Sequence, residues 1–286
     1  MDASPRFERR TLFQDPTPGG LVNNRIVRQL FELSERTTLS EPERQHLLRL
    51  LMLVGKKLIA VWQHMQRYKA IQAELVARVS AAPQDGPIRD VHVSQDLLLE
   101  FDGFLVQLKS ALDYLVHVPV AIIGRKSWSL GSFGDKGERV IQALRNNVPA
   151  EHRSAAEGIA DRIASHAPWL KDVIEARDRM NHLLDGDIRF EDFSVFRDAA
   201  TGAVRVPMWS DKQTAAECME VVWGNLLRLV EDFVALFIGM RKQPRTVFFH
   251  GEVTDPARSP WIAMSQEDAE RFLASRGFSP TDGRPP

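Results

Sequence analysis

The chain has 286 residues, 44% of them hydrophobic, with 37 basic and 38 acidic side chains and one cysteine. That is enough apolar material for a substantial core, in one large domain or two small ones. A net charge of -1 excludes a protein that coats nucleic acid through bulk electrostatics and leaves only a focused basic patch for that role, while the lone Cys218 excludes an intrachain disulfide and suits a reducing cytosol.

Helix signals dominate the pass along the chain. Residues 1–38 read as a leader, in which DPTPGG precedes LVNNRIVRQLFELSER, apolar at helical spacing and predicting a short first helix. The opening MDASPRFERR is not followed by the unbroken apolar run of a secretory signal, so a cytoplasmic protein is expected. Ser40, Pro42 and Glu43 open the next helix, with Ser and Glu three apart as a capping box, and Pro83 and Gly86 close it. A third helix is predicted from Ser94, with Leu97, Phe101, Phe104, Leu108, Leu112 and Leu115 on one face and Pro119 to end or kink it. GRKSWSLGSFG reads as a loop. Asp135 is expected to cap a short helix reaching Asn147, and another helix follows Pro149 to about His166. The next is predicted to begin at Pro168, which needs no donor at a first helical position, and to end near Gly186.

From about 187 to 210 the helical period fails. Val204, Val206 and Met208 alternate, and Thr201-Gly202 separates two extended arms, which predicts a β-hairpin. A core helix is expected from about Lys212 to Lys242. Its stretch from Cys218 to Met240 is long enough to span a bilayer, but Glu220, Arg228, Glu231 and Asp232 would be expensive in hydrocarbon, so no membrane span is expected. Residues 243–286 form a tail with a strand-like VFF and a small helix from Ser265 to Arg276. The expected fold is all-α: an antiparallel helical bundle over residues 39–242 with a small inserted β-hairpin.

Several chemistries lack their residues. A di-iron bundle needs two Glu-x-x-His pairs, and only Glu43 with His46 stands out; there is no His-x-x-x-His pair and no cysteine cluster, so neither metal nor cofactor is expected. GSFGDKG lacks the Gly-Lys-Ser/Thr ending of a phosphate loop. No Gly-x-Ser-x-Gly elbow occurs, and Cys218 falls in an apolar helix.

The stretch ARDRMNHLLD, residues 176–185, is different. Arg177 is followed after four residues by His182, and Arg followed by His after four to six residues occurs twice more, at Arg145 to His152 and Arg245 to His250. Roughly two such matches are expected by chance, so context decides. The first rival spans Pro149 and the second lies in the extended tail, whereas Arg177 and His182 share a helix, a rigid support for catalytic groups. Leu170, Val173, Ile174, Met180 and Leu184 form that helix's apolar stripe; Arg177 falls near its centre and Asn181 borders it. A guanidinium there is costly unless paired or used. It is either a buried ion pair with Glu100, Asp102 or Asp113, or part of a site. His182 lies about 140° round and roughly 7.5 Å along from Arg177, with Asp178 and Arg179 within reach of its imidazole. One site using both needs a long arginine reach, a loosened helix end, or a second subunit.

At Arg177, Asp178, Asn181 and His182 the sequence resembles the HEPN superfamily, whose ribonuclease members carry Arg, four to six residues, then His, often with a polar residue directly after the Arg. LLLEFDGFLVQLKSALDYLVHV likewise looks like the long helix that precedes this motif in the superfamily's bundles. The likeness covers about residues 40 to 242. It implies metal-independent RNA cleavage, as in a toxin or phage-defence effector, by a homodimer whose motifs meet in one cleft, with an antitoxin or regulatory protein as a further partner. His182 would move the proton, Arg177 would bind the phosphate, and Asp178 and Asn181 would orient them. Members with degraded chemistry imply the alternative, a non-catalytic helical protein that binds a partner or a nucleotide.

Overall fold

The computed structural model describes residues 14–82, 92–124, 126, 128–134, 137–182, 190–251 and 258–275, without the side chains of residues 92, 93, 181, 182, 190 and 191. Within them the protein is mainly helical, with short antiparallel β-pairs.

The leader contributes a π-helix, Val22–Gln29, running into α1 (Leu30–Ser34), and Val22, Ile26, Val27 and Leu30 are buried. Arg25 grips Glu231 through two hydrogen bonds of 2.9 and 2.6 Å, tying the leader to the core. Helix α2 (Glu41–Ala81) starts where the sequence places it, with both halves of the Ser40–Glu43 capping box formed. Helix α3 (Gln95–Leu115) is capped by Ser94, which accepts from the Leu97 amide. All six apolar positions expected on its inner face are buried. It runs antiparallel to α2, with Lys57 donating to Gln107 and His64 facing Glu100. Pro119 lies in the first turn of α4 (Val118–Ile123), where its missing N–H is harmless. Gln95–Ile123 is the described helical stretch long and apolar enough to cross a membrane, and half of its most apolar window is buried inside the protein.

The loop after α4 is pinned rather than slack. Trp128 is buried and donates its indole N–H to the Val116 carbonyl at 2.6 Å, and the amide of buried Phe133 donates to Asp113 at 2.9 Å. Helix α5 (Glu138–Asn147) follows Gly137, whose φ of 74° a side chain would strain. Asp135, the expected cap, lies outside the described residues.

Two expected helices are one. Helix α6 runs unbroken from Arg153 to His182 with Pro168 inside it. The proline deprives the Ala164 carbonyl of its partner, but both positions are exposed, so water can satisfy it and the break does not occur. The expected end near Gly186 lies outside the described residues.

The inserted β element is larger than one hairpin. β1 (His92–Val93), β2 (Ser194–Arg197) and β3 (Val204–Arg205) form a three-stranded antiparallel sheet, its β2–β3 turn made by Gly202 at φ 70°. β4 (Met208–Ser210) and β5 (Gln213–Thr214) then make a second hairpin. Helix α7 therefore starts at Ala215 rather than Lys212, behind a Thr214–Glu217 capping box, and runs to Met240. In the tail, β6 (Thr246–His250) pairs with β7 (Trp261–Ser265), and α8 (Gln266–Ser275) follows. Phe248, Trp261 and Ala263 pack on the core.

Candidate functional site

The Arg177 to His182 segment occupies the last two turns of α6. Arg177 lies among the buried Val173, Ile174 and Ala176, and its side chain is 31% exposed. Its Nη1 donates to the Asp178 carboxylate at 2.7 Å. Of the three acids expected to neutralise it from a neighbouring helix, Glu100 holds His64 at 2.6 Å, Asp113 holds Lys109 and the Phe133 amide, and the buried Oδ1 of Asp102 accepts no hydrogen bond among the described residues. Asn181 and His182 are the final residues of the helix, and their side chains lie outside what the structure describes.

A cleft of about 760 Å³ opens beside this helix end. Arg179 from α6 lines it together with Phe101, Phe193, Phe196 and Trp209, and with Arg205, Asp192, Asp198 and Asp211. Phe101 packs on two of these rings, 5.4 Å from Phe193 and 5.9 Å from Trp209 between centroids. Asp198 accepts from the amides of Thr201 and Ala200, which hold its carboxyl below the usual range, and it also pairs with Arg205 at 3.3 Å. The cleft thus joins an aromatic wall, suited to a planar ring, to charged groups of both signs.

Arg177 and Arg179 are two residues apart, so they project about 200° apart on the helix. The cleft therefore belongs to the Arg179 side. By backbone position His182, three residues on, falls about 60° from Arg179, and Asn181 falls about 40° from Arg177. The constellation read from the sequence divides between two faces.

The other candidates disperse. Arg245 and His250 stand at opposite ends of the β6 segment, roughly 16 Å apart for five residues of strand. Arg145 lies in the last turn of α5, while His152 closes a short 3-10 turn. Glu43 accepts from the Ser40 amide and hydroxyl, with Arg241 3.9 Å away. Among the described residues no group of three or more His, Cys, Asp or Glu is arranged to hold a metal ion. Burial, with Asp172 nearby, pushes the Cys218 thiol up to about 12, which leaves it unreactive.

A histidine with a fixed partner was not legible in the sequence. His64 and Glu100 come from α2 and α3, and the imidazole fits against Gly103, where a Cβ would come within 2.5 Å of the ring. The signal available was a glycine in a helix interior, three residues after Glu100 on the same face. Comparison with protein-family models, with curated proteins and with solved structures gives no match to this chain.

Proposed function

We propose that the chain is a metal-independent endoribonuclease of the HEPN type, an antiparallel helical bundle that acts in the cytoplasm as a homodimer on RNA. What supports this reading is the position of Arg177, Asp178, Asn181 and His182 at the end of one long helix, beside a cleft whose aromatic wall can stack an unpaired base. In the mechanism, the RNA 2′-hydroxyl attacks its own phosphodiester. His182 takes or returns the proton, since an imidazole with an ordinary pKa of about 6.5 can do both near neutrality. Arg177, steadied by Asp178, stabilises the charge that builds on the phosphate. Asn181 orients the phosphate. The nucleophile belongs to the substrate, so the chemistry requires no metal. Because Arg177 and His182 project about 140° apart, a dimer that sets the Arg177 of one chain beside the His182 of the other would complete the working pair.

The test is cleavage of mixed-sequence RNA in EDTA, with light scattering for the dimer. His182→Ala is expected to lose roughly 10² to 10⁴ in rate, and Arg177→Ala and Arg179→Ala locate the phosphate contact. Full activity in His182→Ala, or activity abolished by EDTA, would overturn the assignment.

One observation favours a second reading, a non-catalytic helical protein that binds a nucleotide or a partner such as an antitoxin. Three carboxylates line the cleft against two guanidiniums, which weakens its hold on a polyanion. That reading predicts no RNA cleavage in the same assay and a stable dimer in light scattering.

A further inference from the structure

Asp232 is a carboxylate in the middle of the apolar helix α7, and its side chain is only 3% exposed. Its Oδ2 accepts from Arg162 of α6 at 2.5 Å, and its Oδ1 accepts the indole N–H of Trp261 at 2.9 Å. Those two donors satisfy the buried charge and join α6, α7 and β7.

The same place holds more basic groups than that task requires. His250, at the end of β6, has its Nε2 4.0 Å from Asp232 Oδ1 and its ring edge-on to Trp261, and is half exposed. One turn beyond Arg162, His166 accepts the indole N–H of Trp169 on Nδ1 at 2.9 Å, which leaves Nε2 as its donor. One turn before Asp232, Arg228 is exposed and makes no ion pair among the described residues. Burial, reinforced by Arg162 and Arg228 and opposed by Asp232, holds the His166 imidazole below its ordinary value. The charge that Arg228 adds is therefore not consumed locally. Among neighbouring acids, Glu231 is taken by Arg25, and Asp161 is exposed at the position next to Arg162.

We infer that Arg162, His166, Arg228 and His250 form a binding site for a phosphate monoester, with Asp232 holding Arg162 in place. The antiparallel α6 and α7 set Arg162 against Asp232, and the next turns bring His166 towards Arg228. Two guanidiniums against the one carboxylate of Asp232 leave a surplus of one positive charge, and the guanidiniums and imidazoles supply directed donors. A monoester, which carries up to two negative charges near neutral pH, matches this better than a diester with one. His166 lies three turns before Arg177 on the same helix, about 16 Å along its axis, so the site is separate from that helix end and does not depend on RNA cleavage.

The full chain is titrated with inorganic phosphate and with ribose 5-phosphate. Binding is followed by tryptophan fluorescence, for which Trp169 and Trp261 are local reporters, and by the histidine ring protons in NMR. Saturable binding that shifts two histidine signals is expected. Equal affinity for the two ligands identifies a site for the bare anion, and tighter binding of the sugar phosphate a site for the esterified group. Arg228→Ala, an exposed change that spares the core, is expected to weaken binding on the order of tenfold or more, Arg228→Lys less, and His250→Gln to remove one of the two shifts. The inference is overturned if sodium chloride at equal ionic strength reproduces the curve, or if Arg228→Ala binds as tightly as the parent.

Discussion

Replacing Gly103 by alanine sets two effects of known sign against each other. Alanine gains about 1 kcal/mol of helix propensity over glycine in a helix interior. At Gly103, however, the new Cβ would lie 2.5, 2.6 and 2.9 Å from three atoms of the His64 ring, closer than packed atoms approach. The imidazole must turn away, and its 2.6 Å hydrogen bond to Glu100 is then lost. A hydrogen bond to a charged group contributes about 1.5 to 3 kcal/mol, and a displaced side chain costs a further 0.5 to 1.5 kcal/mol. His64 is 23% exposed and can reach solvent, which puts the cost towards the low end of both ranges. The net expectation is a loss of about 1 to 2 kcal/mol, read from urea midpoints at constant slope. In a His64→Ala background the clash and the hydrogen bond are both gone, so the same glycine substitution should stabilise by up to about 1 kcal/mol. A sign reversal between the two backgrounds is the signature. If Gly103→Ala stabilises the parent chain as well, His64 is not held against α3, and the reasoning fails.

The buried Glu231 gives a second case. Its side chain is 1% exposed and rests on Arg25, so Arg25→Ala strands a charge and should cost about 3 to 5 kcal/mol by urea unfolding, whereas adding Glu231→Gln should recover a substantial part of that loss. A third concerns pH. The His166 imidazole is held below its ordinary 6.5, so between its folded value and about 6.5 the unfolded chain binds more protons than the folded one. Its contribution is therefore fully present above about pH 6.5 and is lost as the pH falls below that. Urea midpoints compared at pH 7 and at about pH 5.5 should fall less in His166→Gln than in the parent.

Local signals carried well into the structure, and long-range ones did not. The Ser40–Glu43 box and the six-residue apolar face of α3 depend on neighbours within a few turns, and both are present as read. Pro168 misled because its cost depends on whether the orphaned carbonyl meets water, and Ala164 is exposed. β1 pairs with a strand about a hundred residues away, through His92 and Val195, and no local pattern in a two-residue strand announces such a partner. The cleft is a product of the same kind of juxtaposition: Phe101 from α3, Arg179 from α6 and Trp209 from β4 meet only once the sheet is formed. Asp232 was visible as an anomaly, a charge within an apolar run, but its partners on α6 and β7 were not.

The end of α6 also constrains how the helix can act. Its polar residues divide into an Arg177–Asn181 side and an Arg179–His182 side, and the cleft lies with the second. Arg177 is braced by Asp178 and partly embedded among aliphatic neighbours, so it is the better-fixed guanidinium of the two. Arg179 is exposed and free to follow a ligand. On the proposed ribonuclease reading, a substrate held by a single chain would use Arg179 and, from its position on the helix, His182, with the base on the aromatic wall and the phosphate at the helix end. A substrate held between two chains would meet the Arg177 of one and the His182 of the other. The first arrangement makes Arg179→Ala the damaging change and leaves activity proportional to protein concentration. The second makes Arg177→Ala the damaging change, and activity then falls away on dilution below the dimer dissociation constant. The two guanidiniums, two residues apart, thus distinguish a monomeric site from a shared one.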